Sequence, residues 1–272
     1  EGSLVYAFSA DIRRAIEASI SAKASNTSIV EVISAEDIGK LPDVSIAESL
    51  ARLPGVTSQR LDGRSQLISI RGLGPDFTTA LLNGRELVTT GDNRGVEFDQ
   101  FPSELLGSVV VYKTPDAALV GQGLAGTVDL RTIRPLAFGR QAVALNYRYE
   151  WNDIGALNSG TTDSGDRYTI SYIDQFADDT IGVALGYAHM SSPYQSERFN
   201  AWGYPTYTDG NLLTGGVKPY VMSSELERDG YMGVLEWRPN HRIHSTIDAF
   251  YSEFKNTQVL RGIEFPLAWG GS

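Results

Sequence analysis

The sequence has no cysteine, relatively little positive charge and no long apolar run. Without cysteine among its 272 residues, the chain can form neither disulfides nor thiolate metal sites. Its 23 lysines and arginines are outnumbered by 33 acidic residues, giving a net charge of −10. This charge argues against binding to nucleic acid. No stretch approaches the roughly 18 apolar residues of a membrane helix. The length nevertheless allows two domains with sizeable cores.

Residues that could support catalysis or hold a metal are also scarce. The three histidines (His189, His241 and His244) have no carboxylate or cysteine neighbours at the spacing of metal ligands. No Gly-x-Ser-x-Gly elbow or comparable nucleophile motif occurs. We therefore predict no catalytic residue, no metal site and no cofactor, and an enzyme is disfavoured.

One glycine-rich string imitates a dinucleotide-binding fingerprint. Gly121, Gly123 and Gly126 have the G-x-G-x-x-G spacing. A strand-like segment at 127–130 follows them, where the fingerprint needs a helix whose N-terminus binds the pyrophosphate. We interpret the string as a tight turn between two strands.

Residues 141–151 (QAVALNYRYEW) alternate between two chemically different faces. One face carries Val143, Leu145, Tyr147, Tyr149 and Trp151, whereas the other is small or polar. An apolar face ending in aromatic residues, over about ten residues, is typical of a transmembrane β-strand. The alternation predicts that a membrane barrel begins just after Pro135.

Four later segments repeat this alternation. The predicted strands are centred on 168–172, 181–188, 231–237 and 243–251, and a sixth strand is expected to begin near Gln258. The predicted connections are alternately long (152–166, 191–229) and short (177–179, 239–242). Short periplasmic turns and long extracellular loops give this rhythm in outer-membrane barrels.

A soluble antiparallel sandwich would also show alternating strands. The face formed by Gly182, Ala184, Gly186 and Ala188 argues against it. A solvated sandwich surface needs charged residues, and these positions are too small and apolar. The barrel is therefore favoured.

The first half of the chain has a different pattern. A polar leader at 1–28 precedes a predicted strand at 30–34 and a helix that starts near Ser45 and stops at Pro54-Gly55. Short β-branched or apolar segments separated by glycine-rich turns follow, at 66–71, 79–82, 86–89, 108–113 and 127–132. This pattern predicts a small mixed α+β domain.

Four phrases in this half, EDIGKLPD, RGLGPDF, LLNGR and VYKTP, occur in an order that resembles the plug of TonB-dependent outer-membrane receptors. The likeness is greatest to a proteobacterial branch linked to oligosaccharide scavenging. It is dense from Ile33 to Leu136 and weaker in the strands. The resemblance implies a leader at 1–28, a plug at 29–136 and, from 137–272, the first strands of an antiparallel barrel of 22 strands in the full protein.

The resemblance also implies a location, partners and a function. Such a protein would lie in the lipopolysaccharide-containing outer membrane with its plug facing the periplasm. It would import a scarce nutrient with energy passed by TonB, ExbB and ExbD. A carbohydrate is the first expected ligand, and siderophores, metal chelates and cobalamin are alternatives. A signal-transducing receptor and a soluble binding module remain as other classes.

Candidate site residues follow from the resemblance, position by position. The TonB box, which pairs with TonB as an added strand, would be Ser3, Leu4, Val5, Tyr6 and Ala7, although these depart from the VVTG-like stretch of related receptors. Polar ligand readers in an apical plug loop would be Asp92, Asn93 and Arg94, with the loop at 58–64 second. Aromatic ligand contacts in the long loop would be Trp202, Tyr204 and Tyr207; the alternative is that these rings anchor the loop at the membrane interface or pack it. Arg71 and Arg85 would contact the barrel, and hydrophilic contacts would let the plug shift. The predicted strands are too few to close a barrel, so we expect the chain to be the N-terminal portion of a larger receptor.

Overall fold

The computed structural model describes residues 28–34, 45–88, 93–117 and 123–268, together with the single positions 17, 20, 21, 23, 24, 91 and 119. Two compact units can be distinguished. Unit 1 comprises the described residues up to Asn146 with Tyr168–His189 and Arg228–Glu253. Unit 2 comprises Tyr147–Arg167, Met190–Glu227 and the described residues from Phe254 onward.

A five-stranded mixed sheet forms the framework of the N-terminal half. Its strands are β1 (Val30–Ser34), β4 (Thr78–Leu82), β5 (Arg85–Glu86), β6 (Leu106–Tyr112) and β7 (Gly126–Thr132). They lie in the order β1-β6-β7-β4-β5. All pairs are antiparallel except β4 with β7. Of the predicted segments that fall in this sheet, those at 30–34, 79–82, 108–113 and 127–132 coincide with observed strands. In place of the strand expected at 86–89, the sheet has the two-residue β5.

A hairpin and a short helix cover this sheet. Strands β2 (Val56–Leu61) and β3 (Arg64–Ile70) form the hairpin, joined at Asp62-Gly63, where both residues have positive φ. Sequence analysis missed β2 and assigned 58–64 to a loop, because the polar run after Val56 hides its alternation. The helix Ile46–Leu50 ends, as predicted, before Gly55, which has a φ of 74°.

Apolar side chains between the helix, hairpin and sheet form the main core. Ile46, Leu50, Ile70, Leu106 and Leu130 are fully buried there. Ser45 occupies the N-cap position, but its hydroxyl donates to the carbonyl of Ser65 instead of capping the helix. The helix is therefore held by packing and by this cross-link more than by its cap.

Five long strands of the barrel follow the helix Pro135–Phe138. They are β8 (Ala142–Trp151), β9 (Ser164–Phe176), β10 (Ile181–Trp202), β11 (Gly216–Asn240) and β12 (Ile243–Gly262), lying in sequential order. The predicted alternation is confirmed: Leu145 and Leu185 are 71% and 52% exposed, whereas Ala184 is fully buried. No helix in the described part of the chain is long and apolar enough to cross a membrane.

Two predictions about the later strands are wrong. The connection expected at 191–229 is only 203–215, because β10 runs to Trp202 and β11 starts at Gly216. Polar residues on both faces of these extensions gave them the appearance of a loop. Gln258 does not begin a sixth strand but lies within β12, and the sixth strand is the two-residue β13 (Phe265–Pro266), paired with β11.

The glycine string at 121–126 is described only from Gly123 onward, so the turn predicted there lies partly outside the described residues. Strands β6 and β7 pair as predicted, and Gly126 is already part of β7. The strand after the string confirms that the helix required for a dinucleotide site is absent from this position. Gly123 is needed for a close approach, since a Cβ there would lie 2.6 Å from the backbone nitrogen of Thr79.

Candidate functional site

The side chain of Arg228 anchors the N-terminal domain to the barrel strands within unit 1. On β11 it is only 4% exposed. Its Nη1 donates to the carbonyl oxygens of Asp99 and Phe101, at 2.7 and 2.9 Å, and Nη2 lies 3.2 Å from a carboxylate oxygen of Glu104. A guanidinium suits this task because its planar fork offers several fixed donors. We call this arrangement the Arg228 clamp.

A second polar anchor lies where the domain leads into the barrel. Arg134 directs both terminal nitrogens at Asp248 of β12, at 2.6 and 3.3 Å. Ser252, further along β12, donates to the carbonyl of Gln100 at 2.9 Å. Charge-assisted, two-point contacts of this kind fix orientation as well as distance.

A buried carboxylate on β11 holds the helix Pro135–Phe138. Glu236 is 3% exposed and accepts a 2.8 Å hydrogen bond from the backbone N–H of Leu136, at the start of this helix. Its other oxygen lies 3.1 Å from Nε2 of His244. A carboxylate at a helix start satisfies an otherwise unpaired N–H group. Strand β11 therefore helps to form the helix that precedes β8.

Apolar contacts accompany these polar ones. Leu105 and Ile133 form one buried cluster with Ile173, Ala184 and Met232 of the barrel strands. The expectation of hydrophilic contact alone was therefore incomplete. We call these polar and apolar contacts together the seat. It comprises the Arg228 clamp, the pairs Arg134–Asp248, Ser252–Gln100 and Glu236–Leu136, and the apolar cluster.

We call the side of β9–β12 that contacts the N-terminal domain the wall. Small residues on the wall make room for side chains of that domain. A Cβ added at Gly230 would lie 2.6 Å from Cγ of Pro102, and one at Gly186 would lie 2.7 Å from Cδ2 of Leu105. Real Cβ atoms do not tolerate such distances, so these positions require glycine or a shift of the neighbour. The small face that excluded a sandwich in the sequence is thus the surface on which the N-terminal domain rests.

The predicted contacts Arg71 and Arg85 do not take part in the seat as described. Both are exposed. Arg71 follows β3 with a φ of 55°, and its N–H donates to the carbonyl of Gly55, while Arg85 lies on β5 at the sheet edge. Their assignment as barrel contacts stays a prediction.

The predicted apical readers are only partly described. Asn93 and Arg94 are exposed side by side. Gly95, which follows them, donates its N–H to Asp76 at 3.2 Å, and this fixes the base of the loop. Asp92 lies outside the described residues, as does the whole predicted TonB box.

The three aromatic candidates of unit 2 differ in environment. Trp202 ends β10 and packs on Gly216, with the ammonium of Lys218 5.7 Å from its ring centroid. Tyr204 and Tyr207 are 59% and 58% exposed. They belong to a tight hairpin over 203–215. Of the three candidates, these two tyrosines are the ones whose rings are largely exposed, whereas Trp202 is partly buried.

Backbone hydrogen bonds close this hairpin. The N–H of Tyr207 donates to Asn211, and the N–H of Leu213 donates to Pro205. At the tip, the backbone N–H of Asn211 donates to Asp209, which lowers the pKa of that exposed carboxyl. The tyrosines are therefore displayed on an ordered element.

A polar network fixes the other loop of unit 2. Gln195 accepts from the N–H of Leu157 and donates to the carbonyl of Thr162 at 2.7 Å. Asn158 is 3% exposed and donates to Ser223 of β11 and to the carbonyl of Val259 of β12. The connection at 152–163 is thus tied to three strands, which its composition did not reveal.

Sequence reasoning missed the residues of the seat, although a signal was present. Arg228 and Glu236 share the parity of Met232 and Val234, the face of β11 opposite to Tyr231. Charges on the inward face of a barrel strand require a partner inside the lumen. The carbonyl groups that Arg228 contacts, however, lie 129 and 127 residues away in the sequence, and Leu136 lies 100 residues from Glu236, so the pairing needed the fold.

An ion-pair cluster closes the sheet edge formed by β1. Lys113 is 8% exposed and donates to the carbonyl of Pro54 at 2.6 Å and to Glu31 at 3.2 Å. Burial raises the pKa of the Glu31 carboxyl, but hydrogen bonds from Lys23 and Lys113 outweigh it, and the net pKa is lowered. This cluster joins β1 to the end of β6.

Comparison with known proteins identifies the N-terminal domain. Residues 22–128 match the family model described as the TonB-dependent Receptor Plug Domain. The "Probable TonB-dependent siderophore receptor PirA" of Acinetobacter baumannii is 35% identical over 117 residues, covering 36% of this chain and 15% of that protein. The "Ferric enterobactin receptor PirA" of Pseudomonas aeruginosa is 33% identical over 123 residues, covering 39% and 16%. The matched segment of the chain therefore spans about one sixth of the length of these relatives.

The barrel strands find their counterpart among solved structures. The ferric citrate transporter FecA, in its unliganded form, superposes with a TM-score of 0.52 at 15% identity, over 90% of this chain and 42% of that one. This likeness shows the fold. The relatives reported are receptors and transporters, and none is an enzyme. Residues 22–128 thus match the plug domain of TonB-dependent receptors, and β8–β12 have the fold of strands in the barrel of an outer-membrane transporter of this kind.

Proposed function

We propose that the complete protein imports a scarce nutrient across the outer membrane, with a plug that faces the periplasm and moves when TonB acts on it. The observation that carries this proposal is the seat. The Arg228 clamp and the pair of Arg134 with Asp248 are polar contacts that water can replace when the plug shifts. The domain limits 1–28, 29–136 and 137–272 belong to the same proposal.

The ligand class proposed first is an iron-loaded siderophore. Both relatives reported above are named as receptors of that kind, whereas nothing in the comparisons supports the oligosaccharide branch. Asn93 and Arg94, with Asp92, are proposed as readers, since an anionic chelate would be attracted by the arginine. A carbohydrate stays the second candidate because the exposed rings of Tyr204 and Tyr207 are suited to stacking on sugars.

The energy source is proposed to be TonB with ExbB and ExbD. Residues 3–7 are proposed as the TonB box, which would add a strand to TonB. The polar contacts of the seat suit such a mechanism, because a force applied at the N-terminus has to be able to separate the plug from the barrel strands. No enzymatic activity is proposed.

Uptake by the complete receptor tests these proposals. A strain lacking the receptor is complemented with the wild type, with a variant lacking residues 3–7, or with Arg94→Ala. Uptake of radioactive iron from a panel of siderophores is compared with uptake of labelled oligosaccharides. We expect iron uptake that is lost without TonB or without residues 3–7, and reduced binding with Arg94→Ala.

The outcomes separate the parts of the proposal. Uptake of oligosaccharides alone would replace the ligand class but keep the importer. Uptake unchanged by deletion of residues 3–7 would refute the TonB-box assignment. Recovery of the folded receptor in the soluble fraction, with no uptake of either class, would refute the importer itself.

A further inference from the structure

The plug contains a buried carboxylate without a hydrogen-bond partner. Asp99 is 6% exposed and lies in the single turn Phe98–Gln100. Neither of its carboxylate oxygens makes a hydrogen bond to any described residue. The Gln66 amide lies close enough to lower the pKa of the Asp99 carboxyl, although less than burial raises it. An ionised carboxylate in this position would lose its hydration, and the neighbouring groups compensate only part of that loss.

The backbone of the same residue is gripped by the wall. The carbonyl of Asp99 accepts from Arg228 at 2.7 Å, and the carbonyl of its neighbour Gln100 accepts from Ser252 at 2.9 Å. Phe98, on the other side, is 1% exposed in the main core. The side chain of Asp99 therefore cannot reach solvent without loosening a segment that is fixed on both sides.

Burial outweighs the charges around Asp99 in setting the direction of its pKa shift. Burial is the largest influence and raises its pKa. Arg64 on β3 acts in the opposite direction, and Glu97, two residues before Asp99, reinforces the rise. On the packed helix Ile46–Leu50, the carboxylate of Glu48 pairs with Arg60. The guanidinium of Arg228 is directed at backbone carbonyls and at Glu104.

We propose that Asp99 is a neutral carboxylic acid while segment 98–101 is seated, and that opening of this segment releases its proton to solvent. Seating and proton uptake are then the same event. The bond that breaks on opening is the O–H bond of Asp99, and the proton passes to water. Protonation of Asp99 belongs to the resting contact and does not depend on which ligand the receptor carries.

The direction of the pH effect follows from linkage. An acid whose pKa is raised in the seated state stabilises that state below its ordinary pKa of 3.8, and this contribution is lost as pH rises through the raised value. Replacement by asparagine, which resembles the neutral acid in shape and cannot ionise, should remove the pH dependence and stabilise the segment at neutral pH.

Two measurements on the complete receptor in detergent test the proposal. Infrared difference spectra should show the carbonyl stretch of a protonated carboxylic acid that is missing in Asp99→Asn. Hydrogen exchange of the amides at 98–101, corrected for the intrinsic rate, should lose protection as pH rises in the wild type and stay constant in Asp99→Asn. Glu86→Gln, at an exposed acid on β5 of the N-terminal domain, is the matched control and should behave as the wild type.

Each result decides the question. Lower protection in Asp99→Asn than in the wild type at neutral pH would show that the carboxylate is ionised and needed, and would overturn the proposal. Identical pH profiles of wild type and Asp99→Asn, without the infrared band, would also overturn it. If Asp99→Asn fails to assemble, the wild-type band and its disappearance with rising pH still test the protonation. A loss of iron uptake with an unchanged pH profile would concern only the function proposed above.

Discussion

Replacement of Arg228 by methionine should release plug segment 99–105 from the wall without unfolding the barrel. Methionine keeps an unbranched apolar stem in the buried site, so the change removes mainly the guanidinium. The two carbonyls of the clamp and the carboxylate of Glu104 would then lose their donor. Because Arg228 is 4% exposed, solvent compensates little of this loss.

The magnitude follows from the contacts of the clamp. Breaking a buried ion pair by removing one partner costs about 3–5 kcal/mol, and a buried acceptor left unpaired costs about 1–3 kcal/mol. Glu104 is 22% exposed and recovers part of its hydration, so we expect a net loss of about 3 kcal/mol. At about 1.4 kcal/mol per factor of ten, this is roughly a hundredfold rise in opening of the segment.

Hydrogen exchange followed by mass spectrometry on peptides that cover 99–105 measures this opening in the intact receptor. Lys255→Met is the control, since Lys255 pairs with Glu227 at a largely exposed position and such pairs contribute only about 0–1 kcal/mol. A rise for Arg228→Met no larger than for Lys255→Met would refute the clamp as the main anchor. Exchange that rises equally throughout the barrel would show a folding defect instead.

Three further expectations follow from the seat and from the sheet edge. Gly230→Ala should overpack the proline ring of the plug and lower the free energy of unfolding by about 1–3 kcal/mol, whereas Gly233→Ala, whose Cβ would meet its nearest atom at 3.8 Å, should be neutral; urea unfolding compares the two. Asp248→Asn should weaken plug retention by about 1–2 kcal/mol through loss of a charge-assisted pair, seen as earlier proteolysis of the plug in urea, and equal sensitivity to wild type would contradict it. Since the pKa of Glu31 is lowered, its ion pair with Lys113 should stabilise the plug above the ordinary glutamate pKa and lose this effect as pH falls through the lowered value. Glu31→Gln should therefore flatten the acid limb of a pH–melting curve, and an unchanged limb would refute the assignment.

The strands of both domains were predictable because their signals are local. Alternation over 142–151 and 181–188 needs only one face in an apolar medium, and the structure shows that face exposed. The helix stop at Gly55 and the strand after Gly126 follow from backbone preferences of single residues. These features do not depend on what the strands pack against.

The seat was not predictable in the same way, because it joins residues that the sequence separates widely. Arg228 could be recognised as an inward charge, but nothing local names Asp99 and Phe101 as its partners. The extensions of β10 and β11 failed for a related reason. Beyond the membrane both faces of a strand can be polar, and there the alternation that reveals a strand disappears, as at 191–202.

The small wall residues have a consequence for inheritance. Leu105 and Pro102 approach Gly186 and Gly230 so closely that a Cβ would not fit between them. A substitution at either glycine therefore requires a matching change in the plug residue opposite it. Plug and barrel are thus two halves of one fitted pair. A plug transplanted alone from a distant relative into this barrel should seat poorly, whereas exchange of both halves together should preserve the fit.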